Sequence, residues 1–369
     1  MASRIESTLE SRTSRRIASR NHNLVANPAA TEHHMAGRAK SAVGVIGLGI
    51  MGGAFAKNLV GSGFEVVGFD IDPARRRALA RAGVTTVSEI AAVAEAAPML
   101  ITSLPSPKAL QDVVAAIVAA ELPPRVIAEA STFTLEDKAA AEAALHEAGH
   151  TLLDTPMSGT GAQAAVKDLV VLASGDSKAI AKMKPVFLGF AREMYDLGAF
   201  GNGSRMKYIA NLLVAVHNVV SAEAMVLGMK AGLDPKMVCD VIKAGAGTSR
   251  MFEVRAPMMA ADSYEPATMK IQLFKKDMDV IGQFVETLGV AAPTFTATLP
   301  IYAAARSMGL GLQDTAAVCT VLEKLAGVTR TPAARKGRKA AATSSAASTS
   351  GAKSSGTAAG KGRRKSAKA

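Results

Sequence analysis

The stretch Val43 to Asp70, VGVIGLGIMGGAFAKNLVGSGFEVVGFD, restricts the fold more than any other part of the chain. Val43 to Ile46 is a short apolar run suited to a strand buried on both faces. Gly47-Leu48-Gly49-Ile50-Met51-Gly52 then supplies the G-x-G-x-x-G spacing at the opening of a helix. Gly47 permits the tight turn, Gly49 lets backbone approach a pyrophosphate, and Gly52 lets helix and strand pack closely. The helix start adds unpaired N–H groups and a positive dipole end. A second strand, Glu65 to Phe69, ends at Asp70, 21 residues after Gly49, close to the spacing at which a carboxylate grips a ribose 2′-hydroxyl. Glycine-rich turns also cap helices with no ligand, so it is the flanking strand, helix and acid that carry the reading of a nucleotide-binding βαβ unit.

From residue 43 to about 200 the pattern alternates strand and helix, as in a doubly wound sheet. Candidate strands are Val43 to Ile46, Glu65 to Phe69, Met99 to Thr102, Val126 to Ala130, Thr151 to Leu153 and Leu169 to Ala173. Amphipathic helices such as Val87 to Ala97 and Leu135 to Glu147 separate them. Ligands bind beyond the carboxyl ends of such strands, which puts Ile101 to Ser106 and Glu129 to Thr132 where a cofactor would lie. After Gly201-Asn202-Gly203 the pattern is helical only. A long apolar helix from about Ser204 to Ala231 stops at Gly232, and Asp234-Pro235 begin the next as N-cap and first-turn proline. Further helices fit Lys236 to Ala244, Met269 to Leu288, Pro293 to Met308 and Thr315 to Leu325. The expected organisation is an α/β fold: a disordered extension over 1–40, a Rossmann-like doubly wound domain over 41–203, an all-helical domain over 204–328, and a basic disordered tail over 329–369.

The net charge of +12 invites a nucleic-acid partner until it is located. Residues 1–40 carry +4 and residues 331–369 carry +10, which leaves −2 for the body between them. The basic character therefore belongs to the tails. The C-terminal tail has no aromatic side chain to stack on bases, so a solvated tail or a weak, sequence-blind, salt-sensitive polyanion contact is what it supports. Polar or small residues interrupt each apolar run before the roughly 20 needed to cross a bilayer, and no membrane span is expected. Glu6, Glu10 and Glu32 count against a transit peptide, and Met35 is an alternative start. Cys239 and Cys319 form no disulfide framework or metal-ligand spacing, which fits a reducing, cytoplasmic location and no metal site.

The second informative stretch is Gly201-Asn202-Gly203-Ser204-Arg205-Met206-Lys207-Tyr208-Ile209-Ala210-Asn211. Lys207 and Asn211 are four apart and share a helix face, which Asn218 continues. A lysine against an apolar wall and a cationic neighbour loses proton affinity, as proton exchange with a hydroxyl near neutral pH requires. A surface lysine with a snorkelling stem is the plainer alternative. His146, His150 and His217 have no partner at useful spacing and are read as packing residues.

With these motifs in order, the chain resembles the β-hydroxyacid dehydrogenases over about residues 43–328. Gly47 to Gly52 is similar to the family's GLGxMG opening, Leu104-Pro105 to the step that lies along the cofactor, and Ser131-Thr132 to the pair near the nicotinamide end. Asp154-Thr155-Pro156-Met157-Ser158-Gly159-Thr160 looks like the substrate loop D-x-P-V-S-G-G, Gly203 to Asn211 like the G-x-x-x-K-x-x-x-N helix, and Lys276-Asp277-Met278 like the K-D-L segment whose lysine enters the site from the helical domain. The resemblance implies reversible hydride transfer between a short 3-hydroxy acid and its semialdehyde. Lys207 would be the general acid or base, Asn211 would hold the reacting oxygen, and Ser131, Ser158, Gly159 and Thr160 would bind substrate. Gly47, Leu48, Gly49, Ile50, Met51, Gly52, Asp70, Leu104, Pro105, Thr132 and Lys276 would hold the cofactor.

Asp70 favours NAD, because a carboxylate repels a 2′-phosphate; NADP stays open, and Arg75, Arg76 and Arg77 are read as a solvated helix face. Three departures from the family pattern leave the substrate unnamed. Thr160 replaces a glycine and would add a methyl and a hydroxyl inside the pocket, Lys167-Asp168-Leu169 replaces G-x-L, and no proline follows Ser131-Thr132. Rival readings are a binding module using the dehydrogenase fold and an imine reductase; retention of Lys207 with Asn211 argues against both. The apolar helical part suggests a homodimer or homotetramer.

Overall fold

The computed structural model describes residues 40–330, so the expectations for the N-terminal extension and for 331–369 lie outside the described residues. Strand and helix alternate as β1 (Lys40–Ile46), α1 (Ile50–Gly61), β2 (Phe64–Phe69), α2 (Pro73–Ala80), β3 (Thr85–Thr86), α3 (Ile90–Ala96), β4 (Met99–Thr102), α4 (Pro107–Ala119), β5 (Val126–Glu129), α5 (Leu135–Glu147) and β6 (Thr151–Asp154). The six strands pair in parallel in the order β3-β2-β1-β4-β5-β6. This is the doubly wound Rossmann-like order, with its crevice where the order reverses between β1 and β4.

Continuous apolar runs are what such strands need, because helices cover both faces. Val43, Val45, Ile101 and Ala128 pack on one side with Phe55 and Leu59 of α1. Ile46, Leu100, Ile127 and Leu152 pack on the other with residues of α3, α4 and α5. Polar residues begin the helices: Asp72, Ser106 and Thr134 accept hydrogen bonds from first-turn N–H groups of α2, α4 and α5, caps worth about 1 kcal/mol each.

A smaller sheet follows, built from β7 (Met157–Ser158), α6 (Gly161–Ala165), β8 (Val170–Ala173), α7 (Ser177–Phe190) and β9 (Glu193–Asp196), in the order β7-β8-β9. A bridge between Asp154 and Ser174 joins it to the end of β6. Strands β3, β7 and β9 escape a sequence reading. The first two are only two residues long, and the third, Glu-Met-Tyr-Asp, lies at the sheet edge with little buried face to impose alternation.

The rest is helical. Around α8 (Asn202–Lys230) pack α9 (Pro235–Ala244), α10 (Arg250–Ala261), α11 (Ile271–Leu288), α12 (Pro293–Ser307) and α13 (Val318–Ala326). Gly232, at φ +85°, ends α8. Its N–H donates to Met229 O, and Leu233 N–H reaches back to Gly228 O, the paired closure of a Schellman motif. Asp234 then accepts from Met237 N–H at 2.9 Å, with Pro235 first in α9.

Three sequence expectations change here. Helix α8 is long and apolar enough by length and composition to cross a bilayer, contrary to the expectation that every apolar run is interrupted too soon; half of its most apolar window is buried within the protein, as the core helix of this region. Helix α10 is unanticipated because Arg255 and Pro257 break its apolar pattern. Arg255 is 1% exposed and is made compatible with the core by Asp314, 2.9 Å away. Further on, Arg330 belongs to the body and not to a free tail: its Nε donates to Glu323 at 2.9 Å and its Nη2 to Met259 O at 2.6 Å.

Candidate active site

Parallel register sets the site. Phe69, Ile46, Thr102, Glu129 and Asp154 stand side by side on consecutive strands. The ladder runs one residue further, with Gly47 N–H donating to Phe69 O at 2.8 Å and Ser103 N–H to Ile46 O at 2.9 Å. Asp70, the glycine turn, Leu104-Pro105, Ser131-Thr132 and the 154–160 loop therefore open along one sheet edge, where ligands of this architecture bind.

At the crevice the glycines divide into two kinds. Gly47 has φ +92°, and a Cβ on it would lie 2.2 Å from Ser103 O; a Cβ on Gly52 would lie 1.9 Å from Gly47 O. The protein's own backbone excludes side chains at both. A Cβ on Gly49 would meet only Arg75 Nη1, at 3.6 Å. The space in front of Gly49 is thus left open by the chain, at the N-terminus of a 12-residue helix, and this is the cradle that a pyrophosphate fits.

Asp70 is 4% exposed and bonded on both oxygens. Leu48 N–H donates to Oδ2 and Asp72 N–H to Oδ1, each at 2.8 Å. Arg75 and Arg77 are exposed, as a solvated face requires, but Arg75 and Arg76 also reach back to Asp70. Arg75 Nη1 lies 3.3 Å from Asp70 Oδ2, and Arg76 Nη1 donates to Asp70 O at 2.6 Å with its guanidinium 6.0 Å from the Phe69 ring centre. The carboxylate expected to read a ribose thus already holds two backbone N–H groups and one guanidinium.

Leu104 N–H donates to Ser131 Oγ at 2.8 Å, tying the two cofactor-side motifs together. Helix α11 docks on the same turn: Lys276 Nζ donates to Thr132 O at 2.7 Å and lies 5.0 Å from the Phe133 ring centre. Helix α8 does likewise through Tyr208, whose hydroxyl donates to Phe133 O. Thr134 caps α5 with Glu136 and Asp137 in the first turn, which accounts for the helix starting without the missing proline.

Lys207, one residue before Tyr208, is half-buried. Burial pushes its ammonium below the ordinary 10.5; Asp277 pulls the other way and Lys276 adds to the depression. Asn211, 6% exposed, donates from Nδ2 to Asp277 Oδ2 at 3.0 Å. Burial raises the Asp277 carboxyl above its usual range, against the pull of Lys276 and Lys207. The structure brings Ser131, Thr132, Lys207, Asn211 and Lys276 together and adds Asp277. Asn218, expected on the same face, instead donates to Tyr302 in the helical core.

The 154–160 loop shows one clear difference from expectation. Thr160 caps α6: its N–H donates to Gln163 Oε1 at 3.0 Å while its hydroxyl accepts from Gln163 N–H at 3.5 Å. Those groups are engaged within the loop and are not spare pocket polarity. Lys167, which the resemblance sets where glycine is expected, has φ +60° and donates to Ser62 Oγ at 2.6 Å. His150 is a packing residue, its Nδ1 accepting from Arg125 N–H at the opposite edge of the sheet.

Two residues missed by sequence reasoning had a signal. Asp277 lies on the buried stripe of α11 with Phe274, Met278 and Ile281, and Lys138 lies on that of α5 with Ala141 and Leu145. A charge at such a position needs a partner.

Comparison with known proteins agrees with this layout. Residues 42–198 match the family described as the NAD binding domain of 6-phosphogluconate dehydrogenase, and residues 201–322 match that described as NAD-binding of NADP-dependent 3-hydroxyisobutyrate dehydrogenase. The chain is 31% identical over 285 residues to an L-threonate dehydrogenase of Pectobacterium atrosepticum, covering 76% of this chain and 93% of the relative. It is 28% identical over 290 residues to a 2-(hydroxymethyl)glutarate dehydrogenase of Eubacterium barkeri, covering 78% and 96%. Among solved structures it is similar to a 3-hydroxyisobutyrate dehydrogenase from Salmonella typhimurium, with a TM-score of 0.70 and 28% identity over 76% of this chain and all of that one.

Proposed function

Because the chain belongs to the β-hydroxyacid dehydrogenase family, we propose that it catalyses reversible NAD(P)-dependent oxidation of a short 3-hydroxy acid to its semialdehyde. The observation that carries this reading is Lys207, depressed in proton affinity and set beside Asn211, Asp277 and Lys276 at the carboxyl edge of the sheet. A bound nicotinamide would supply the acceptor of the hydride in oxidation and its donor in reduction. The Gly47–Gly52 turn would hold its pyrophosphate, Asp70 the adenosine ribose, and Leu104, Pro105, Thr132 and Lys276 the nicotinamide half.

The chain's own part is proton transfer and alignment. In oxidation neutral Lys207 accepts the alcohol proton as the carbon–oxygen double bond forms and the C–H bond gives up its hydride; in reduction the ammonium returns that proton to the carbonyl oxygen. Asn211, fixed by Asp277, presents its second amide hydrogen to the same oxygen. Ser131, with Ser158 and the N–H groups at Ser158 and Gly159, would receive the substrate carboxylate. Thr160 shapes that loop as the cap of α6.

NAD is the favoured cofactor, since Asp70 stands where a 2′-hydroxyl is read, with Arg75 beside it as the group that would tolerate a 2′-phosphate. The test supplies purified protein with NAD or NADP and L-threonate, 2-(hydroxymethyl)glutarate, 3-hydroxyisobutyrate and related acids, and follows reduced nicotinamide. Turnover with at least one acid, faster with NAD, is expected; no turnover on the whole panel despite dinucleotide binding would favour the binding-module reading. The stripe of Ile209, Leu213, Val220 and Leu227, exposed along α8, fits burial in a homodimer or homotetramer, and the mass by light scattering of the same preparation reads it.

A further inference from the structure

Glu129 and Asp154 are the last residues of neighbouring strands and stand directly in register, which brings two carboxylates to within about 5 Å on one face of the sheet. Both are 0% exposed. Two buried anions at that separation repel strongly unless a cation intervenes. Lys138 of α5, also 0% exposed, provides it: Nζ lies 2.7 Å from Glu129 Oε2 and 2.7 Å from Asp154 Oδ1. Burial alone would lower the proton affinity of this ammonium, but the two carboxylates more than reverse that and hold it charged.

The same two carboxylates also bond outward to the catalytic segments. Glu129 Oε1 accepts from Ser131 N–H at 2.8 Å, at the turn that Lys276 grips through Thr132. Asp154 opens the 154–160 loop, and it accepts from both the backbone N–H and the hydroxyl of Ser204 at 2.7 Å. Ser174 closes the set, its hydroxyl donating to Asp154 O at 3.2 Å and accepting from Gly203 N–H at 2.9 Å. Ser204 is in the first turn of α8, three residues before Lys207. The network has two anions and one cation, and its excess negative charge faces the positive end of the 29-residue α8.

We propose that Lys138 is a positioning residue for hydride transfer, one buried ammonium that fixes the Ser131–Thr132 turn, the start of the substrate loop and the helix bearing Lys207 relative to one another. The proposal rests on the dehydrogenase reading above. Stability alone does not explain the network, since apolar side chains of similar volume commonly replace buried ion pairs without loss. What apolar side chains lack is direction: these bonds end on the segments that must align. Neither Asp70 nor the glycine turn is bonded to Lys138, Glu129 or Asp154, so the adenosine half of the cofactor site is separate.

The test compares wild type with Lys138→Met, Glu129→Gln/Lys138→Met and Ser204→Ala. The double variant removes one charge of each sign and keeps the network's balance, and the serine variant removes a single hydroxyl, so either decides the matter if Lys138→Met does not fold. NADH affinity by fluorescence is expected to stay within about threefold of wild type. The kcat on the best acid should fall about tenfold in the double variant and about threefold in Ser204→Ala, with KM less affected. Independently of turnover, the pH dependence of Lys207 acylation by acetic anhydride, read by mass spectrometry, should move up toward that of an ordinary lysine as water reaches the loosened helix. A folded double variant with wild-type kcat and a wild-type Lys207 titration would overturn the proposal. Absence of turnover in wild type would sink the dehydrogenase reading and with it any role in hydride transfer, while Lys207 titration still displaced in the variants would show that the network nevertheless sets the surroundings of Lys207.

Discussion

Replacing Lys207 with methionine should lower kcat by about 10² to 10⁴, the usual worth of a positioned acid or base, with NADH affinity little changed. Methionine keeps the length and apolar character of the stem, so the half-buried slot on α8 stays filled. The Asn211–Asp277 hydrogen bond and the Lys276–Thr132 contact do not involve Lys207 and should persist. Only proton transfer is removed. Equal loss in kcat and kcat/KM, measured by steady-state kinetics in both directions, marks an interaction made in the transition state. A variant that retained more than a third of wild-type kcat would show that another group moves the proton.

The second large effect separates two glycines two residues apart. Gly49→Val should weaken dinucleotide binding on the order of a hundredfold, about 2.7 kcal/mol, while the melting temperature stays near wild type. Its new Cβ meets only the end of the Arg75 side chain, at an ordinary contact distance of 3.6 Å, so the obstruction falls on the ligand. Gly47→Ala should lose stability as well as binding. Its φ of +92° is unfavourable for any side chain, and its Cβ would overlap Ser103 O at 2.2 Å, a backbone atom that cannot step aside. Calorimetric melting and NADH titration of the two variants read the difference. Equal destabilisation of both would mean that the room in front of Gly49 is structural and not a phosphate cradle.

Much of this was legible in the sequence because the residues report their own local rules. Short apolar runs gave the parallel strands other than β3, and Asp234-Pro235 and Gly232 marked helix ends through capping and left-handed geometry. Lys207 and Asn211 were found by helical spacing together with the family motif. What was hidden depended on pairing across elements. Lys138 reads as a helix-surface lysine until β5 and β6 are placed in register, and Arg255 reads as a break in a helix until Asp314 is brought 59 residues back in the chain to meet it. Arg75 reads as part of a solvated helix face, and only the fold shows that its length lets it return to Asp70. Thr160 looked like a pocket substituent, and only the fold of α6 shows it as a cap.

In the proposed reaction Lys207 exchanges the proton, with its affinity set by two neighbours of opposite charge. The most direct measurement is the pH dependence of kcat/KM for alcohol oxidation in wild type, Lys276→Met and Asp277→Asn. Oxidation needs neutral Lys207, so the rate should rise with pH through a midpoint below the ordinary 10.5. Removing the Lys276 charge relieves repulsion and should move the midpoint up; removing the Asp277 charge withdraws support for the ammonium and should move it down. Opposite displacements are the predicted result, and a midpoint that ignores both substitutions, or moves the same way in each, would contradict it.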